Sequence, residues 1–155
     1  MFDVPMDATY AWVGVALVSV ATLGVAATLP ATPPPDATGV AGTVDRVALG
    51  EHPATAEHGI ATDEIRISPD SLALAGPGGT AHATLAGPRI TPAGDDHRLE
   101  RVLHGEPPER VFATPNALAA AAVDARERGG RWETAPDRLR IRQVHWGETR
   151  VTLVG

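Results

Sequence analysis

The chain has 155 residues, with 19 acidic side chains against 13 basic ones, a formal charge of -6 and a pI near 5.4. This length predicts a single domain. Every basic side chain is arginine and neither lysine nor cysteine occurs, which excludes a P-loop lysine, a Schiff base, a disulfide framework, a thiol nucleophile and cysteine-held metal centres.

After an acidic leader at 1–7, residues 8–29 carry no charge and are dominated by Ala, Val, Leu and Gly. About 22 residues at roughly 1.5 Å each reach about 33 Å, enough for a bilayer core of about 30 Å. The expectation is an N-terminal transmembrane helix, with Tyr10 and Trp12 near one interface. A cleaved signal would call for a basic start, which this chain lacks. A buried core helix fits a domain this small poorly. Residues 30–42 are proline-rich and predict an extended spacer.

The remainder, 43–155, reads as an α+β domain: a small antiparallel β-sheet with one main helix. Residues 64–68 alternate as a strand with Ile65 and Ile67 on one face. Residues 71–75 and 80–85 flank 76–79 as a hairpin whose loop exceeds two residues. Residues 98–104 read as another strand. A helix then begins at Thr114 and Pro115 and ends at Gly129, burying Leu118, Ala121, Ala122 and Ala125. The end is a hairpin whose first strand has Leu139 and Ile141 in one phase and Val144 and Trp146 in the other, reconciled by a bulge near Arg142 or Gln143. Phe112, Trp132 and Trp146 are expected to supply much of a thin core.

Catalytic, cofactor-binding and metal-ligating residues are not identified. The 76–79 segment lacks the Gly-Lys-Ser/Thr of a phosphate loop and reads as a turn. Glu51, His52, Glu57 and His58 share one apparent loop, and His97 follows Asp95 and Asp96, but the spacing matches no zinc motif. Ser68 and Ser71 lack a nucleophile elbow, and adjacent carboxylates such as Asp95 and Asp96 usually diverge. Arg138, Arg140 and Arg142 alternate along one strand face, with Arg150 on its partner. They form the candidate interaction surface, for a headgroup, an acidic partner or a polyanion, unless they pair with Glu133, Asp137 or Glu148. The acidic balance and the absence of interleaved aromatics disfavour nucleic acid.

The lack of Lys and Cys, with one Asn and one Gln, resembles a haloarchaeal composition. Together with the segments 7–14, 78–84, 102–112 and 151–155, the arrangement resembles an uncharacterised family of small haloarchaeal membrane-anchored proteins. More broadly it is similar to archaeal type IV pilin-like proteins, although no basic-Gly processing site precedes the apolar stretch. These resemblances imply a single-pass protein of the cell membrane with its C-terminal domain outside the cytoplasm. The function expected is a non-enzymatic surface or envelope interaction protein, an accessory subunit of a pilus-like or secretion apparatus, contacting the lipid bilayer and a protein partner. The alternatives are an anchored hydrolase or metal-dependent enzyme using His52, His58 or His97, and a cytoplasm-facing regulatory domain.

Overall fold

The computed structural model describes Val13, residues 15–18 and residues 32–155. The chain divides into two units, 1–32 and 33–155. In the first, Val13 and residues 15–18 are helical and exposed. Most of the expected span 8–29 lies outside the described residues, and among the described residues no helix is long and apolar enough to cross a membrane. The expected fold class is therefore corrected on this point.

It is also corrected in the second unit, which contains two four-stranded sheets rather than one small one. The elements are α1 (Ala37–Ala48), β1 (Ala54–Gly59), β2 (Glu64–Ser68), β3 (Ser71–Gly76), β4 (Gly79–Thr84), β5 (Thr91–Pro92), α2 (His97–Leu103), α3 (Pro108–Val111), α4 (Pro115–Arg128), β6 (Trp132–Thr134), β7 (Arg138–Trp146) and β8 (Thr149–Val154). One sheet has the order β1-β7-β8-β5, antiparallel except for the parallel β5–β8 pair. The other, β4-β3-β2-β6, is antiparallel throughout.

Where an extended spacer is expected through Gly42, α1 begins at Ala37. The Asp36 carboxylate caps it by accepting from the Gly39 amide at 2.8 Å. Gly39 and Gly42 disfavour helix, but Val40, Ala41, Val44, Val47 and Ala48 are buried against strands of both sheets, so packing overrides propensity.

Residues 98–104 are likewise helical rather than extended. Asp96 accepts from the Arg98 amide at 2.9 Å, and Leu99, Val102 and Leu103 bury one helical face. The main helix, α4, has the expected ends: Thr114 Oγ1 accepts from the Ala117 amide at 3.2 Å, Pro115 opens it, and Gly129 ends it at φ 71°.

No bulge interrupts β7, whose pairing with β8 runs unbroken from Ile141↔Val154 to Trp146↔Thr149. The two apolar phases exist because its sheet is covered on both faces. Leu139 and Ile141 meet α1 and the second sheet, whereas Val144 joins Leu99, Phe112 and Leu118 beneath the helices. The β3–β4 loop is also shorter than expected, since Gly76 pairs with Gly79. Phe112 is buried, Trp146 is half-buried, and Trp132 is 39% exposed, so aliphatic side chains supply most of the core.

Candidate functional site

The arginine surface expected from the sequence is divided by the sheet. Arg138, Arg140 and Arg142 share the phase of Val144, on the side of β7 that faces α2 and α4. Arg150 stands opposite His145 on the other side, where it donates to the Glu51 carbonyl at 3.3 Å.

The three on β7 have separate duties. Glu57, directly opposite Arg140, accepts from its Nε at 3.0 Å and from Nη2, and accepts from Arg138 Nη1 at 3.5 Å. The hydrogen bonds from Arg140 hold the Glu57 carboxyl below its ordinary pKa. Arg142 Nη1 donates to the carbonyl of Val102 and to that of Glu106 at 3.2 Å, tying the end of α2 to the sheet. The expected carboxylate partners Glu133, Asp137 and Glu148 make none of the observed arginine ion pairs among the described residues.

The histidines of the apparent loop also separate. Glu57 and His58 are in β1, where successive side chains face opposite ways. His58 Nδ1 hydrogen-bonds Thr43 Oγ1 at 2.9 Å, and His97 begins α2. Among the described residues no group of three or more His, Cys, Asp or Glu is placed to hold a metal ion. Asp95 and Asp96 diverge to Arg131 and Arg98 at 2.5 and 3.0 Å, and Arg98 lowers the Asp96 pKa mainly through its side-chain hydrogen bond. Ser68 and Ser71 face each other beside the Pro69–Asp70 turn.

Sequence reasoning missed Gln143, the chain's single glutamine, which is 1% exposed. Its Nε2 donates to the Ala48 carbonyl at 3.0 Å. Its Oε1 can only accept, so His145, at 3.2 Å, donates from Nε2. Desolvation, with Arg150 and His52 adding repulsion, lowers the His145 pKa.

A surface row was also missed. Trp132, Arg66, Ala73 and His82 are successive cross-strand neighbours over β6, β2, β3 and β4. They face away from Ile65, Leu72 and Leu74, and the Arg66 guanidinium sits 5.1 Å from the Trp132 ring centroid. Trp132 and His82 remain exposed. The alternation of 64–68 already placed Arg66 opposite Ile65 and Ile67, but β6 is too short for its own pattern to reveal the pairing.

A family of unknown function, DUF7283, matches residues 3–144. The chain belongs to this family. The matched region takes in both the uncharged N-terminal stretch and the folded unit as far as Val144 in β7, so the family pattern extends across both parts. No curated protein and no solved structure matches the chain.

Proposed function

We propose that this family member is a non-enzymatic interaction protein of the cell envelope, with the open face of the second sheet meeting a protein partner. The Trp132–Arg66–Ala73–His82 row carries this reading. It joins an exposed aromatic ring and an arginine, side chains enriched at binding hot spots, to a small buried residue on a regular sheet. The separation of His58, in β1 on Thr43, from His97, at the start of α2, supports binding over metal-assisted chemistry.

The composition, without Lys or Cys, supports a haloarchaeal source, and the uncharged stretch 8–29 supports association with a bilayer. An apolar N-terminal stretch before a β-rich unit suits an accessory subunit of a pilus-like or secretion assembly. In this reading the folded unit faces outward.

Photocrosslinkers placed at Thr80 and Thr84, beside His82 on the open face, and at Glu127 on α4 test the proposal in intact cells. A protein adduct from the sheet positions, absent from Glu127 and lost with Trp132→Ala, is expected. Equal adducts from all positions, or none from the sheet, would overturn it. Protease removal of a C-terminal tag from intact cells tests the outward placement; protection until lysis would reverse it.

A further inference from the structure

A cleft lies beside β7 where its pairing with β1 ends. The β1–β7 ladder begins at Ala54↔Gln143, and the preceding residue, Pro53, has no N–H to continue it. The resulting cleft, of about 310 Å³, is bordered by Pro53, Thr55, Glu109, Arg142 and His145. Thr55 is directly opposite Arg142, so their side chains share a face of the sheet.

Two opposite charges border this space without pairing. Arg142 is half-buried and held by Nη1 donating to two backbone carbonyls, and among the described residues it has no carboxylate partner. Glu109, in the first turn of α3, forms no ion pair among the described residues. The fixed guanidinium retains Nε and Nη2 as donors suited to a carboxylate. Glu109 supplies an acceptor for an ammonium group.

We propose that this cleft binds a small zwitterion of the α-amino-acid class, carboxylate toward Arg142 and ammonium toward Glu109. A simple anion would leave Glu109 repulsive and a simple cation would leave Arg142 repulsive, whereas a ligand carrying both groups complements both. The volume suits a single small molecule rather than a folded partner.

Titration of the intact chain with glycine, L-serine and L-glutamine, followed by amide chemical shifts, tests this directly. At least one is expected to bind at millimolar concentration, with shifts centred on Thr55, Glu109 and His145. Its N-acetyl derivative and its carboxamide, each retaining one charge, are expected to bind at least about tenfold more weakly. Glu109→Gln leaves the Arg142 contacts in place and should bring the N-acetyl derivative and the free amino acid to similar affinity. Absence of binding by all three amino acids would overturn the proposal. So would equal affinity for the free and N-acetyl forms in the unsubstituted chain, or unchanged discrimination in Glu109→Gln.

Discussion

Glu57 faces Arg140 across the β1–β7 ladder, and one oxygen of its carboxylate accepts from both Nε and Nη2 of the guanidinium. The other oxygen accepts from Arg138, so one acidic side chain on an edge strand neutralises part of a basic run on its neighbour. This arrangement confines β1 to its register as well as contributing charge pairing.

Its contribution has a defined pH dependence. Because pairing lowers the folded-state pKa of Glu57, the stabilisation is fully present above the unfolded value of about 4.3 and is lost as pH falls through the lowered folded value. Glu57→Gln should reduce the thermal midpoint at neutral pH, with the difference from the unsubstituted chain disappearing in acid. High salt should shrink it too, since these side chains are solvent-accessible. A midpoint difference independent of both pH and salt would show that the charge is not responsible.

The same substitution should have opposite effects at two positions in α1. A Cβ on Gly39 would lie 2.3 Å from Asp36 Oδ2, displacing the cap, whereas one on Gly42 meets nothing within 4 Å. Gly42→Ala should stabilise by about 0.5–1 kcal/mol through helix propensity. Gly39→Ala loses a cap worth about 0.5–2 kcal/mol, partly offset by that same propensity. Denaturant unfolding checks the ordering: Gly42→Ala above the unsubstituted chain and Gly39→Ala below it.

Gln143→Leu should cost about 1–3 kcal/mol, because it leaves the Ala48 carbonyl without its side-chain donor inside the core. It also frees His145 Nε2 from its acceptor. An equilibrium unfolding curve unchanged from the parent would contradict a structural role for this hydrogen bond.

Thr91→Val should change stability in the other direction. Among the described residues, Thr91 Oγ1 is a buried side-chain atom without a hydrogen-bond partner. Valine preserves the branched shape and removes the buried hydroxyl, so a gain of about 1 kcal/mol is expected from calorimetry. A loss would indicate that the hydroxyl serves the folded state.

The sequence revealed α4 clearly because Thr114, Pro115 and Gly129 are local signals that require no tertiary information. It reveals β2 and the closing hairpin by alternation, but the phase of Val144 and Trp146 mimics a bulge because two-sided burial cannot be distinguished locally from one. Helix α1 is hidden in the sequence for a related reason: its glycines and preceding prolines argue for an extended chain, and only the two sheets supply the burial that makes a helix. The arginine surface depended on register. Arg138, Arg140 and Arg142 share a face by strand periodicity, but Arg150 is placed on the opposite face by its pairing with His145.

The placement of β8 carries a consequence for the order of folding. This strand is drawn from residues 149–154, yet it lies inside its sheet between β7 and β5, and β7 in turn must recover β1 from far upstream. The β2–β3–β4 meander can form from adjacent segments, while closure of the other sheet waits until residues 138–154 have emerged from the ribosome. Pulse-labelled exchange should therefore protect β3 amides before those of β1, leaving nascent chains with one organised sheet and an exposed apolar surface awaiting its complement.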